Sequence, residues 1–327
     1  MISRRCLLGS SAASALVSSL GVRATFAQAW PTRFVRLIVP FVPGGATDII
    51  ARTIGARLSE VWGQQVVIEN RPGAGANIGA QMVAQADPDG YTLYITSVPH
   101  AVNRFLYATL SYDPIADFAP VTLICMQPNI MVVPNSSPAK TVMEFVAHAK
   151  ANPRKISYGS GGIGTSVHLS GELFMRMTGI EMTHVPYRGS APALQDVMAG
   201  RLDLIFDNIT PSLPHVRSGS ARGLAVTTAQ RVPAAPELPT IAEAGVPGFD
   251  VSSWFAFFVP ARTPPAIVDR MYRDIVAALA HPPVRERLEP LGAAIVGSTP
   301  DELARHIKAE MDKWGPVIRE AKIRIDE

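Results

Sequence analysis

Cysteine is scarce in this chain, with only two cysteines among 327 residues. Cys6 lies in an N-terminal segment that we expect to be removed, which leaves Cys125 in the apolar run VTLICM. A single cysteine cannot form an intramolecular disulfide, and no histidine or acid lies near Cys125 in the sequence. We therefore expect Cys125 to be a small buried hydrophobic residue. A disulfide-stabilised fold is excluded, and cysteine catalysis is disfavoured.

An excess of charge of one sign is also missing. The formal net charge is +3, but the first 29 residues contain Arg4, Arg5 and Arg23 and no acid. Without them, 27 basic and 27 acidic residues remain. Hydrophobic residues make up 47% of the chain and charged residues 17%, which is typical of a globular protein with a packed core. A balanced charge does not favour a nucleic-acid partner.

Long apolar runs are confined to the N-terminus. Arg4-Arg5 precede an apolar, small-residue core at 7–20, and Ala27 and Ala29 have the spacing of a signal-cleavage site. We interpret residues 1–29 as an export signal, cleaved after one of these two alanines. SRRCLL resembles a twin-arginine signal, and ordinary secretory export fits equally well. The core is short for a membrane span of ~20 residues, so an uncleaved anchor is the weaker alternative and a soluble periplasmic protein is expected.

Strand-like and helix-like segments alternate along most of the chain. FVRLIVPF predicts a strand, and the helix that follows has Ile50, Ile54, Leu58 and Trp62 on one face and ends at Gly63. The order strand, Gly-Gly, hydroxyl, helix occurs a second time in the middle of the chain. This alternation predicts an α/β fold with a mostly parallel sheet flanked by helices. The repeated order suggests two similar lobes that face each other, although short loops after strands could also explain the glycines.

The boundary between two such lobes is poorly marked by composition. The proline-rich stretch RVPAAPELPTIAEAGVPGF, residues 231–249, is the best candidate for a linker. If the terminal helices return to the first lobe, the chain crosses between the lobes twice. We expect these crossings near Gln127 and near Phe249.

The stretch VPGGATDIIAR places two glycines between the first strand and its helix. The first N–H groups of a helix have no partner within the helix, and the helix dipole favours an anion there. Gly44 and Gly45 lack the Cβ that would keep a ligand away. Thr47 could cap the helix or donate to a ligand, and Asp48 could bind an amine or only stabilise the first turn. A carboxylate is the anion that fits such a neutral loop best.

Motifs for other kinds of chemistry are absent or incomplete. The phosphate-loop pattern is missing, and the spacing of Gly73, Gly75 and Gly79 misses the dinucleotide fingerprint by one residue. The seven histidines show no spacing typical of a metal site. GSGG at 159–162 lacks the nucleophile-elbow pattern, and no serine has an evident histidine and aspartate partner. We expect no cofactor, no metal site and no catalytic residues.

Several long segments together resemble one known family. They are RLIVPFVPGGATDIIAR, VVIENRPGAGANIGA, DGYTLYI, YDPIADFAPVTLI, YGSGGIGTSVHLSGELF, HVPYRGSAPALQDVMAGRLDLIFDN and LPTIAEAGVPGFDVSSWF. In this order, from about Pro31 to the C-terminus, they are similar to the Bug-type substrate-binding proteins of tripartite tricarboxylate transporters.

The resemblance implies the two-lobed periplasmic-binding-protein fold of type II, with a mostly parallel sheet flanked by helices in each lobe. Lobe 1 is expected to comprise residues 30–128 and 249–327, and lobe 2 residues 129–248. A small carboxylate, or a related amide or aromatic acid, is expected to bind between the lobes.

The resemblance also implies a set of ligand-binding residues from both lobes. The glycine loops of lobe 1 are expected to hold one carboxylate, partly through bridging waters, and other residues to select the ligand. The predicted set is Gly44, Gly45, Ala46, Thr47, Asp48, Gly75, Asn77, Ser97, Ser160, Gly161, Thr165, Ser166, His168, Tyr187, Gly189, Asp207 and Ser253.

As the resemblance implies, the protein is expected to be a transport receptor that delivers its ligand to membrane permease subunits, and not an enzyme. Two alternatives remain open. One is a periplasmic sensor that docks on a sensor-kinase ectodomain, and the other is a periplasmic hydrolase or transferase on a similar fold. The ligand also remains open among citrate, other di- and tricarboxylates, acidic amino acids and aromatic acids.

Overall fold

The computed structural model of the protein describes residues 30–320 and 323–325, so the export signal predicted for residues 1–29 lies outside the described residues. The strands are β1 (Val35–Val39), β2 (Val66–Asn70), β3 (Thr92–Thr96), β4 (Phe118–Val133), β5 (Ser157–Ser160), β6 (Thr183–Pro186), β7 (Leu204–Asn208), β8 (Arg222–Val226), β9 (Ser252–Pro260) and β10 (Ala294–Ile295). The helices are α1 (Ala46–Trp62), α2 (Asn77–Ala84), α3 (Pro99–Leu106), α4 (Val142–Ala151), α5 (Ser166–Thr178), α6 (Ser190–Met198), α7 (Ile209–Arg217), α8 (Pro265–Ala280), α9 (Pro282–Leu288) and α10 (Pro300–Glu320). Short 3-10 turns occupy Ala74–Ala76 and Glu289–Leu291.

Helix α1 shows how the apolar pattern builds the first lobe. Ile50, Ile54, Leu58 and Trp62 are all buried, so the predicted face of this helix is confirmed. Burying an aliphatic side chain of this size contributes about 1.5–3 kcal/mol. Gly63 ends the helix in the left-handed conformation, with a φ of 60° that costs glycine little.

The strands form two groups, which β4 connects. In the first group β2, β1 and β3 are parallel neighbours, and β9 runs antiparallel beside β3. In the second group β6, β5 and β7 are parallel neighbours. β4 pairs antiparallel with β9 and β10 along its first part and with β7 and β8 along its last part. Each group therefore forms the sheet of one lobe in a two-lobed α/β fold.

The chain passes from one lobe to the other inside β4. Gln127 pairs with Ser253 of β9, whereas Asn129 pairs with Asn208 of β7. The chain returns to the first lobe just before β9 begins at Ser252. Two neighbouring antiparallel strands thus lie at the connection between the lobes.

The proline-rich stretch at 231–249 is not a linker. Leu238, Ile241 and Phe249 within it are buried and belong to the hydrophobic core of the second lobe. The prediction of a linker is wrong because proline restricts φ wherever it occurs. A proline-rich stretch therefore occurs in rigid loops that pack on a sheet as well as in connections between lobes.

Two expectations about apolar segments can be compared with the structure. Cys125 is a free cysteine, fully buried in β4, as predicted, and burial raises the pKa of its thiol to about 12. Across residues 30–320 and 323–325, none of the helices combines the length and the apolar character needed to cross a membrane.

Candidate functional site

A small enclosed space, which we call the inner cavity, lies where the two lobes meet. Its volume is about 30 Å³, which is room for about two water molecules. Its walls are Phe41, Gly45, Ala46, Thr47, Ser97, Gly161, Thr165, Ser166, Val167, Ser190 and Asn208. Residues of both lobes therefore enclose one site.

Four helices begin at the wall of the inner cavity. Helix α1 follows Gly45, α5 follows Thr165, α6 begins at Ser190 and α7 follows Asn208. The first N–H groups of a helix have no carbonyl partner within the helix, and the helix dipole adds partial positive charge at this end. The N-termini of four helices thus favour an anion in the same small space.

The described wall of the inner cavity contains no charged side chain. The nearby carboxylate of Asp48 accepts hydrogen bonds from the Gly44 amide at 3.0 Å, Arg52 Nε at 2.9 Å and Asn70 Nδ2 at 2.9 Å. Burial acts to raise the pKa of Asp48, but the hydrogen bonds from Arg52, Asn70 and Gly44 outweigh it and keep the pKa below its usual value. Asp48 therefore holds the glycine loop in place, and the cavity offers only neutral donors to an anion.

A second space, which we call the outer chamber, adjoins the inner cavity. Its volume is about 410 Å³, which is enough for a small organic molecule. Phe41 and Gly161 line both spaces. The other walls of the outer chamber are Pro40, Gly73, Ala74, Gly75, Ala76, Tyr107, Gly162, Ile163, Pro186, Tyr187, Arg188 and Ile325.

The two lobes touch each other beside both spaces. The Val42 amide donates to the Arg188 carbonyl oxygen at 3.4 Å. A Cβ on Gly189 would lie 2.5 Å from the Val42 side chain, and a Cβ on Gly75 would lie 2.8 Å from the Ile163 carbonyl oxygen. Glycine at these positions therefore permits a close approach that any other residue would disturb. The structure shows the lobes in a closed arrangement.

A buried polar network supports the glycine loop between β5 and α5. Ser160 Oγ accepts from the Gly162 amide at 3.1 Å and lies 2.6 Å from His184 Nε2. His168 Nδ1 accepts from the Gly164 amide at 3.3 Å. Burial, with a smaller contribution from His168, lowers the pKa of His184 to about 3. The His184 ring is therefore neutral near pH 7, and its Nε2 shares a hydrogen bond with the Ser160 hydroxyl.

The two imidazole rings connect this loop to a partly buried carboxylate. The ring centroids of His168 and His184 are 4.3 Å apart. Glu172 Oε1 lies 3.5 Å from His168 Nε2 and accepts the Tyr158 hydroxyl at 2.5 Å. Burial acts to raise the pKa of Glu172, but its contacts with His168 and Tyr158 keep it below the usual value. The glycine loop thus rests on a hydrogen-bonded cluster inside the second lobe.

The predicted ligand-binding residues lie in the wall of the inner cavity, in the wall of the outer chamber, or outside both walls. Those in the wall of the inner cavity are Gly45, Ala46, Thr47, Ser97, Gly161, Thr165 and Ser166. Those in the wall of the outer chamber are Gly75, Gly161 and Tyr187. Those outside both walls are Gly44, Asp48, Asn77, Ser160, His168, Gly189, Asp207 and Ser253.

The residues outside the walls mostly contact other protein groups. Asn77 Oδ1 accepts from Asn103 Nδ2 and from the Tyr112 hydroxyl, each at 2.7 Å. Asp207 Oδ2 accepts from the Ser212 hydroxyl at 2.7 Å. Such side chains shape the loops and strands behind the site.

Sequence reasoning missed four residues of the inner wall, which are Phe41, Val167, Ser190 and Asn208. Ser190 and Asn208 carried a usable signal, because each is a polar residue at the start of a helix, like Thr165. Phe41 and Val167 carried none, because an apolar residue beside a strand or in a helix is typical of any core.

A further space of about 430 Å³ lies beside β4, where Met126, Val232 and Ala293 are among its walls. None of the four helix starts of the inner cavity borders it, and the acidic residue Glu289 lies in its wall, so it lacks the anion-favouring donors of the inner cavity. Among the described residues, no group of three or more His, Cys, Asp or Glu side chains could hold a metal ion.

Comparison with known proteins identifies the family to which this site belongs. The model of the tripartite tricarboxylate transporter family receptor matches residues 50–323. The chain belongs to this receptor family.

Three solved structures are similar to this receptor over most of its length. A protein of R. palustris solved with adipate is 45% identical, with a TM-score of 0.88, and the alignment covers 90% of this chain and 100% of that chain. MatC from Rhodopseudomonas palustris, solved with bound malate, is 34% identical, with a TM-score of 0.85 and coverage of 88% and 99%. The periplasmic binding protein BugD is 33% identical, with a TM-score of 0.88 and coverage of 90% and 100%. The predicted Bug-type family and two-lobed fold are confirmed, and the chain is a solute-binding receptor, not an enzyme.

Proposed function

We propose that this receptor binds a small organic carboxylate between its lobes and delivers it to the membrane permease subunits of a tripartite tricarboxylate-type transporter. The observation that carries the proposal is the inner cavity. The N-termini of four helices lie at its described wall, and that wall contains no charged side chain. Neutral donors hold a carboxylate less strongly than a bidentate arginine does. A transport receptor needs this reversibility, because it must release its ligand.

The ligands of similar receptors support the same proposal. Adipate and malate, named for two of the similar structures, are both carboxylates. The family description names a transporter, which supports a membrane partner for this chain. Uptake of a labelled ligand by cells that lack either the receptor or the permease would test this partnership, since both deletions should abolish uptake.

The location and the lobe boundaries form part of the proposal. We infer that residues 1–29 direct export to the periplasm, which cell fractionation with and without this segment tests. Residues 30–128 and 249–327 then form lobe 1, and residues 129–248 form lobe 2. The crossing inside β4 and the return before β9 support these boundaries. Ligand-dependent hydrogen exchange concentrated at these two crossings would support them further.

Ligand contact is assigned to the wall of the inner cavity. The first N–H groups of α1, with the hydroxyls of Thr47 and Ser97, are the donors available there. The space for about two waters matches the two oxygen atoms of one carboxylate group. Residues behind the wall, such as Asp48 and His168, act by holding these donors in place.

A thermal-shift screen of carboxylates tests the proposal. A ligand at about 100 times its dissociation constant stabilises the folded protein by about 2.7 kcal/mol. The Gly45→Val variant should lose this shift, because its side chain would occupy the space in front of the α1 N–H groups. A Cβ at Gly45 would lie 3.8 Å from Ser190 Oγ, and the φ of −80° suits any residue, so the fold should survive.

Ala151→Val is the matched control, because it adds carbon atoms at an exposed position in α4, away from both spaces. This control should keep the full ligand shift. Absence of any shift with every carboxylate in the wild type, or an undiminished shift in Gly45→Val, would contradict the proposal.

A further inference from the structure

The outer chamber has a different chemical character from the inner cavity. Apolar and aromatic side chains, including Tyr107, Ile163 and Ile325, form much of its wall. Its volume of about 410 Å³ is far larger than the 30 Å³ of the inner cavity. A ligand whose carboxylate fills the inner cavity must therefore place the rest of its atoms in the outer chamber.

Arg188 is the only charged residue among the described residues that line either space. It is exposed, and its side chain forms no ion pair or hydrogen bond with any residue that the structure describes. Other arginines of the same lobe do have such partners, as Arg154 does with Glu181 at 3.1 Å and Arg201 with Asp196 at 2.6 Å. The wall of an organic-sized chamber thus contains an arginine whose side chain has no partner among the described residues.

The backbone fixes Arg188 at the closing edge of the site. Its carbonyl oxygen accepts from the Val42 amide of the first lobe at 3.4 Å. The next residue, Gly189, packs directly against the Val42 side chain. In this closed arrangement Arg188 lies in the wall of the chamber, and its backbone is tied to the first lobe.

We propose that Arg188 forms a second anion subsite, which binds the far anionic group of an elongated ligand whose first carboxylate lies in the inner cavity. This inference rests on the proposed function and adds a ligand class to it. Phe41 and Gly161 line both spaces, so a ligand that extends past them from the inner cavity enters the outer chamber. The ligand class is therefore a linear dicarboxylate, whose chain carries the second carboxylate towards Arg188. A guanidinium binds a carboxylate through charge-assisted, often paired hydrogen bonds.

Adipate and hexanoate provide the test, because they share a six-carbon chain and differ by one carboxylate. Isothermal titration of the wild type should show adipate binding on the order of tenfold more tightly than hexanoate. Arg188→Met keeps an unbranched apolar side chain. It should weaken the binding of adipate by about the same factor and leave the affinity for hexanoate unchanged. Arg188→Lys should retain part of the preference for adipate over hexanoate, since lysine keeps the positive charge but lacks the planar guanidinium with its paired donors.

Arg154→Met is the matched control, because it removes the same charge from the same lobe at a position outside both chamber walls. It should leave both affinities unchanged.

Equal affinities for adipate and hexanoate in the wild type, or an unchanged preference for adipate in Arg188→Met, would overturn the proposed subsite. Tight hexanoate binding with no gain from the second carboxylate would indicate an apolar tail in the chamber, which keeps the proposed function but removes the inference. If no carboxylate binds the wild type at all, the proposed function itself fails.

Discussion

Asp207 places a buried carboxyl group one residue before Asn208, which lies in the wall of the inner cavity. Its Oδ2 accepts from Ser212, whereas its Oδ1 is buried without a hydrogen-bond partner among the described residues. Burial raises the pKa of Asp207 to about 6, and hydrogen bonds from Ser212 and Ser190 oppose this only in part. Nearby His215 also lowers the pKa of Asp207, by a smaller amount.

This pKa predicts how stability changes with pH. Because the folded pKa of about 6 lies above the ordinary value of 3.8, the folded protein binds the proton more tightly than the unfolded chain does. The contribution of Asp207 to stability is therefore fully present below the ordinary value and is lost as pH rises through about 6. The loss corresponds to roughly 3 kcal/mol.

The Asp207→Asn variant removes this titration. Urea denaturation should show the wild type losing roughly 3 kcal/mol relative to the variant between about pH 4 and about pH 8. Asp312→Asn, at an exposed position in α10, is the control and should show no such trend. A stability difference between wild type and Asp207→Asn that stays constant with pH would contradict this account.

The sequence predicted individual site residues where their role depends on local geometry. Gly45 and Thr47 could be proposed because a small or polar residue between a strand and a helix indicates exposed N–H groups, whereas Thr165 was implied by the family resemblance. All three line the inner cavity. The roles of Asp48 and Asn77 could not be predicted in the same way. Their partners, such as Asn70 for Asp48, lie many residues away in the sequence, and only the folded chain brings them together.

At the scale of elements, the loop between β5 and α5 depends on side chains from β6 and α5. His184→Phe should keep an aromatic ring against Tyr158, where the centroids are now 4.8 Å apart, but it removes the hydrogen-bond partner of the Ser160 hydroxyl. We expect ligand affinity to fall by about tenfold because the Gly162 amide loses its fixed acceptor. Isothermal titration with the carboxylate that gives the largest thermal shift measures this loss.

Two further variants separate positioning from general destabilisation. His184→Gln places an amide group near the position of Nε2, where it can donate to or accept from Ser160, and should recover part of the affinity. His148→Phe, in α4 and away from both spaces, makes the same exchange without touching the loop and should bind as the wild type does. Wild-type affinity in His184→Phe would show that the network does not position the loop.

Helix α1 could be predicted from its own residues, because its apolar period and Gly63 are local signals. Strand β4 could not be predicted at its full extent from Phe118 to Val133. Its pairing with β9 and β10 joins segments far apart in the chain, and no local pattern shows such pairing. The proline-rich stretch was misread for the same reason, because its contacts with the core are not local.

At the scale of the whole molecule, the alternation of strands and helices and the ordered family motifs were enough to predict a two-lobed receptor. The size of the space between the lobes was not predictable, because it depends on contacts such as those of Val42 with Arg188 and Gly189. A ligand stabilises this closed arrangement only if it contacts both lobes. The inner cavity meets this condition, since α1 comes from one lobe and α5, α6 and α7 come from the other.

A crystal structure of the receptor with adipate is the most direct test of the central claim. The account predicts one carboxylate in the inner cavity, within hydrogen-bond distance, directly or through one water, of the first N–H groups of α1 and of helices from the other lobe. A carboxylate bound instead beside Met126 and Ala293, or one held only by charged side chains outside the inner cavity, would contradict it.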